Sequence, residues 1–217
     1  MNVVIAGGHG QIALRLARLL TARGDTVLSL IRKPEQADDI REAGAGPVVL
    51  DLEDTTAERL ADELTGAQAV VFAAGAGPNS GAARKDTVDR AGSVLLADAA
   101  ERAGVRRFVQ ISAMGADQPP APGSDESWRA YVEAKGAAEQ DLRARDLEWL
   151  ILRPGRLTDD PGTGRVTLGE PRVGRGDITR DDTAAVIAAL LGAPGVERRV
   201  LELVNGDTPI AEAVAAL

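Results

Sequence analysis

The chain is predicted to fold as a doubly wound α/β domain, a mostly parallel sheet of about seven strands with helices on both faces. Three observations carry this expectation. Short apolar runs alternate with longer stretches of helical spacing along the whole chain. The first run enters a glycine-rich turn that opens a helix, and most runs are apolar at consecutive positions, as strands buried on both faces are. With 217 residues and no linker, one domain over residues 1–217 is expected.

The strands are expected at Asn2–Ala6, Thr26–Ile31, Pro47–Leu50, Ala69–Ala73, Arg107–Ser112, Trp149–Leu152 and Val200–Val204. Between the first two, Ile12, Leu16, Leu19 and Leu20 recur at helical spacing over Gln11–Arg23 before Gly24 stops the helix. Pro34–Ala43 precedes Gly44, Thr56–Leu64 starts after the acidic pair Glu53-Asp54, and Asp86–Ala103 ends at Gly104. A further helix is expected over Trp128–Arg145. After Arg153-Pro154-Gly155, glycines and prolines break up residues 156–178, which suits a lid or a pair of short strands over a site, or an ordinary solvent loop. Thr179–Leu191 resumes helical spacing, with Asp182 placed to complete a capping box on Thr179. Asn205-Gly206-Asp207 turns the chain, and Thr208-Pro209 opens a last helix.

The glycines of Gly7-Gly8-His9-Gly10-Gln11-Ile12-Ala13 read as Gly8-x-Gly10-x-x-Ala13 or as Gly7-x-x-Gly10-x-x-Ala13. Either way they follow a strand and open a helix, the arrangement that binds the pyrophosphate of a dinucleotide. Arg32 and Lys33 end the second strand, where an acid would take the ribose hydroxyls of NAD and a guanidinium pairs with the 2′-phosphate of NADP. NADP is therefore expected over NAD. His9, the chain's one histidine, is expected to contact backbone or phosphate and not to act as a catalyst.

Composition narrows the rest. A net charge of −8 and 2% aromatic residues disfavour nucleic acid and anionic membranes, and the absence of cysteine removes disulfides and thiolate metal sites. No metal is expected. The first strand begins at once, without the basic and apolar regions of a leader, so a cytoplasmic protein is expected. Its partner would be a small-molecule substrate, with the chain a monomer or homodimer.

The single tyrosine, Tyr131, stands four residues before Lys135, one helical turn away. Phenols are poor proton donors or acceptors at neutral pH unless a neighbouring cation favours the phenolate. Lys135 is placed to be that cation and to hydrogen-bond the nicotinamide ribose, while Tyr131 exchanges the carbonyl proton during hydride transfer. A surface helix pair is the plainer alternative.

These residues together resemble the atypical or extended branch of the short-chain dehydrogenase/reductases. The glycine loop, Ala73-Ala74-Gly75 at the fourth strand, Tyr131 with Lys135, and Leu152-Arg153-Pro154-Gly155 are similar to that branch's motifs. Within it the chain is most similar to small NAD(P)-binding proteins labelled epimerase or dehydratase, which are related to the biliverdin IXβ/flavin reductases. The resemblance implies a Rossmann fold, with the pyrophosphate at Gly7 to Ile12 (Gly7, Gly8, His9, Gly10, Gln11, Ile12) and adenine near Asp51 and Leu52. It further implies that Ala73, Ala74 and Gly75 line the cofactor and that Pro154, Gly155 and Arg156 edge the carboxamide. Asp89 falls where this subgroup carries an acid in place of an active-site asparagine, or is an ordinary helix residue. The family's catalytic serine aligns with Ala113, and a register shift of one residue would make it Ser112.

The resemblance thus implies an NADP(H)-dependent oxidoreductase acting on a small carbonyl, flavin or quinone, with Tyr131, Lys135, Ser112 and Asp89 in the catalytic site. A non-catalytic NADP(H) sensor and an NAD(P)-dependent epimerase or dehydratase are the alternatives. About sixty residues follow Pro154, little room for a nucleotide sugar beside NADP.

Overall fold

The computed structural model describes residues 1–77, 80–120 and 122–217. Strand β1 (Asn2–Ala6) leads through the glycine loop into α1 (Gln11–Ala22), and β2 (Thr26–Ile31) into a short 3-10 turn (Pro34–Gln36) and α2 (Ala37–Glu42). There follow β3 (Gly46–Val49), α3 (Ala57–Glu63), β4 (Ala69–Phe72), α4 (Gly81–Arg84), a π-helical segment (Lys85–Ala91) and α5 (Gly92–Ala103). Next come β5 (Arg107–Ile111), α6 (Glu126–Arg143), β6 (Glu148–Pro154), β7 (Arg156–Thr158), β8 (Arg165–Gly169) and β9 (Asp177–Thr179). The chain ends in α7 (Arg180–Gly192), β10 (Arg199–Asn205), β11 (Thr208–Pro209) and α8 (Ile210–Ala215).

The central sheet runs β3-β2-β1-β4-β5-β6-β10 in parallel, and β8 then pairs antiparallel with β10 and β11 with β8. Alternate residues of each parallel strand enter opposite cores. Val3 and Ile5 of β1, Val71 of β4 and Leu150 of β6 pack with α1, α2, α7 and α8. On the other face Val4 and Ala6, Phe72 and Ile151 pack with α3, α5 and Leu142 of α6. Both faces are covered, which is why these strands read as continuous apolar runs and not as alternating ones. The chain order reverses direction between β1 and β4, and the crevice beyond their C-terminal ends is where ligands of such sheets bind.

Two segments depart from the sequence expectation. The helix expected from Asp86 begins earlier, at Gly81, and its second turn is π-helical, a widened turn often found at functional sites. That turn buries Lys85, Val88 and Asp89 together, although two of them are charged. Residues 156–178 form the short strands β7 and β8 and lead into β9, with β7 paired parallel to β9 and β8 extending the main sheet.

The capping box expected at α7 is half formed. Thr179 Oγ1 accepts from the Asp182 backbone N–H at 2.9 Å, but the Asp182 carboxylate turns away from the helix start. It accepts instead from the N–H groups of Thr163 and Gly164, both at 2.8 Å, and fastens the broken segment to α7. Among the described residues no helix is long and apolar enough to cross a membrane, and no cluster of His, Cys, Asp and Glu could hold a metal ion.

Candidate active site

The glycine loop lies over β4. Gly7 has φ +79°, and a Cβ there would stand 2.5 Å from Ala74 Cα, so this contact admits only glycine. Gly8 packs on β2, where a Cβ would meet Ser29 Cβ at 2.4 Å; it is buried and lines neither of the two cavities described below. Gly10 caps α1 without any side-chain hydrogen bond, and the first turn of α1 carries no acid. Donors and the positive end of the helix dipole are therefore left to a ligand, and the residues present fit a pyrophosphate.

Around this loop is a cavity of about 260 Å³. Gly7, His9, Gly10, Ala73, Ala74 and Gly75 form one side of it, and Arg32, Asp51 and Leu52 reach it from the ends of β2 and β3. His9 does more than border it. Its Nε2 is 2.6 Å from Asp39 Oδ2 and its Nδ1 3.1 Å from Gln36 Nε2, which fastens the loop to the start of α2. Lys33 lines neither this cavity nor the next; its exposed ammonium is 3.5 Å from Glu35, because Pro34 starts a turn in which the Lys33 N–H donates to Gln36 Oε1.

Glu53 and Arg84 also line this cavity, and nothing local in the sequence marks them. Glu53 accepts from Arg84 at 2.5 Å and from Thr87 Oγ1 at 2.6 Å, and stands 3.9 Å from Arg32. The Arg84 and Thr87 hydrogen bonds, with the charges of Arg84 and Arg32, hold its carboxyl below the usual range.

A second cavity, about 820 Å³, adjoins the first across Gly10, Ala73, Ala74 and Gly75. Gln11 and Ile12 open it from the start of α1, and α6 brings Tyr131 and Lys135 to its wall. Asp125 starts that helix by accepting the Trp128 N–H at 2.8 Å. Lys135 is 4% exposed, donates to the Ile111 carbonyl at 3.2 Å, and stands 3.2 Å from Asp89 Oδ1. That oxygen has no aligned hydrogen bond, so the Lys135–Asp89 contact is ionic, while Asp89 Oδ2 accepts the Ala76 N–H at 3.0 Å. The Lys135 ammonium is 5.8 Å from the centre of the Tyr131 ring, as one helical turn of separation allows. Trp128 and Lys85, which the sequence pattern did not single out, share this wall: the Trp128 and Tyr131 rings lie 5.6 Å apart, and Lys85 Nζ is 5.4 Å from the Tyr131 ring centre.

Ser112 reaches the cavity from the end of β5, but its hydroxyl is engaged behind the site. It donates to Glu139 Oε1 at 2.5 Å, and Glu139 also accepts from Arg153 at 2.9 and 2.5 Å. Arg153 in turn meets Asp117 at 2.9 Å. Ala113 lines neither cavity. Nor do Pro154, Gly155 and Arg156: Gly155 is pressed against the Gly176 carbonyl and donates to Leu203 O, and Arg156 pairs with Asp177.

The two cavities form one crevice at the point where the sheet reverses, with backbone donors and cations at one end and a tyrosine, two lysines and an aspartate at the other. A family model described as NAD(P)H-binding matches residues 7–194. The chain belongs to the NAD(P)H-binding family. As a member it is 37% identical over 218 residues to an uncharacterized sugar epimerase of Bacillus subtilis (strain 168), the alignment covering 100% of both chains. Among solved structures it is similar to a Bacillus halodurans protein bearing an NAD-dependent epimerase/dehydratase name, with TM-score 0.92, 34% identity and complete coverage of both chains. It is also similar to an oxidoreductase of Lactococcus lactis, with TM-score 0.86 and 28% identity over 100% of this chain and 96% of that one.

Proposed function

We propose that this NAD(P)H-binding protein is an NADP(H)-dependent reductase of a small carbonyl, flavin or quinone compound. The observation that carries the proposal is the Tyr131–Lys135–Asp89 group on the wall of a cavity that continues the glycine-loop cavity. In the first cavity Gly7, Gly10 and the start of α1 would hold the pyrophosphate, and Arg32 with Arg84 would meet the 2′-phosphate. Asp51 and Leu52, which line the same cavity, would border the adenine. NADPH held there would supply the hydride.

The chain's own residues supply the rest. Tyr131 gives a proton to the substrate oxygen as it gains charge, and Lys135, fixed by Ile111 and Asp89, keeps a positive charge beside the phenol through that transfer. Asp89 holds Lys135 in place and is itself held by the Ala76 N–H. Trp128 and Tyr131 present aromatic surface to the substrate. Because Ser112 donates to Glu139, it does not polarise the substrate, which favours acceptors served by Tyr131 as their one proton donor. An oxidoreductase name among the relatives supports this reading.

Tyr131→Phe tests it. Turnover in a screen of carbonyl, flavin and quinone compounds, followed by loss of NADPH fluorescence, should fall at least a hundredfold. NADPH binding should be unchanged. Full turnover in the variant would remove the tyrosine from the mechanism.

A further inference from the structure

The cations that line the second cavity are not equivalent. Lys135 is answered by Asp89 at 3.2 Å, and Arg180 by Asp159 at 2.9 Å. Lys85 has no carboxylate within salt-bridge distance among the described residues; its one hydrogen bond there goes to a neutral carbonyl, Gly77 O, at 2.6 Å. Yet Lys85 is 5% exposed and lies on the cavity wall, 5.4 Å from the centre of the Tyr131 ring.

A buried ammonium of this kind is costly unless an anion or several acceptors meet it. An ammonium has three donors, and the Gly77 carbonyl takes one. The other buried charges show how the protein usually treats them: Glu139 lies against Arg153, and Asp182 accepts two backbone N–H groups. The π-helical turn makes Lys85 an exception by construction, since it turns Lys85 and Asp89 inward together while Asp89 is spent on Lys135 and Ala76.

Resting on the proposed reductase site, we infer that the substrate carries a carboxylate-class anion and that Lys85 is its anchor. An anion held at Lys85 lies beside the tyrosine ring, so binding it also sets the reactive part of the same molecule against Tyr131. Trp128, 47% exposed and stacked at a tilt on Tyr131, offers an aromatic face next to the anchor. Lys85 thereby selects acids over neutral compounds of the same shape.

Benzoate and benzamide are nearly isosteric and differ in charge. Their binding to the full chain is measured by tryptophan fluorescence and calorimetry, with and without saturating NADP. The wild type should bind benzoate about tenfold or more tightly than benzamide, in line with one charge-assisted hydrogen bond. Lys85→Met should abolish that difference and Lys85→Arg should restore most of it, with benzamide affinity and NADPH binding unchanged in both. If Lys85→Met fails to fold, the wild-type ratio and its recovery in Lys85→Arg still decide. Equal affinity of the wild type for the two probes, binding of neither, or a benzoate preference that survives Lys85→Met would overturn the assignment. NADPH binding without a benzoate preference would sink the anchor and leave the reductase standing; a benzoate preference without NADPH binding would sink the reductase and leave the anchor.

Discussion

Removing Glu139 should expose how the floor of the second cavity is held. Glu139 and Arg153 are 3% and 2% exposed and joined by two hydrogen bonds, and Glu139 also receives the Ser112 hydroxyl. In Glu139→Ala the guanidinium stays buried with Asp117 as its remaining carboxylate, at 2.9 Å and 38% exposed. Stranding one member of a buried pair destabilises by about 3–5 kcal/mol, and the surviving Asp117 contact places this case near the lower end. For a chain of this size about 3 kcal/mol corresponds to a melting point lower by roughly 6–12 °C. The assay is urea and thermal unfolding followed by circular dichroism. Replacing both partners, Glu139→Leu with Arg153→Met, removes the stranded charge and should recover most of the loss, because Asp117 is exposed enough to be rehydrated. A single variant that loses less than about 1 kcal/mol, or a double variant less stable than the single, would refute the reasoning.

Two further outcomes follow from the same geometry. Asp182→Ala leaves the N–H groups of Thr163 and Gly164 without their acceptor, so about 1–3 kcal/mol of local stability should go and trypsin should cut after Arg165 faster; unchanged cleavage would mean the segment is held by its strand pairing alone. Glu53 carries the pH dependence of the Arg84 contact. Its carboxyl is held below the usual range in the folded state, so its stabilisation is present above the unfolded value near 4.5 and is lost as pH falls through the folded one. The stability gap between wild type and Glu53→Gln should therefore be constant from neutral pH down to about 5 and close below about 4.5; a gap that widened in acid would reverse the sign of this account.

Much of the fold was legible because its signals are local. β1, β2 and the start of α1 fall where Val3-Val4-Ile5, Thr26–Ile31 and the glycine turn place them, since strands buried on both faces cannot hide their apolar content. Tyr131 and Lys135 were legible as a pair because one helical turn brings residues four apart together. Two of the departures depend on contacts between distant parts of the chain, and two on local turns that leave no clear mark in the sequence. Lys85 and Asp89 face inward because the turn over Lys85–Ala91 is π-helical, a choice with no clear pattern in sequence. Arg84 reaches the cavity of Arg32 through Glu53, thirty-one residues away. Ser112 sits at the cavity as a serine should, yet its hydroxyl goes to Glu139, twenty-seven residues on. Lys33 follows Arg32 in sequence but turns outward, because Pro34 starts a turn that takes its N–H.

The central claim is that the crevice holds NADPH, with Arg32 reading the 2′-phosphate. Titration of purified wild type and Arg32→Ala with NADPH and NADH, followed by nicotinamide fluorescence, tests it most directly. Wild type should bind NADPH about tenfold or more tightly than NADH, and Arg32→Ala should lose most of that preference with NADH binding unchanged. No binding of either nucleotide, or a wild type that prefers NADH, would contradict it.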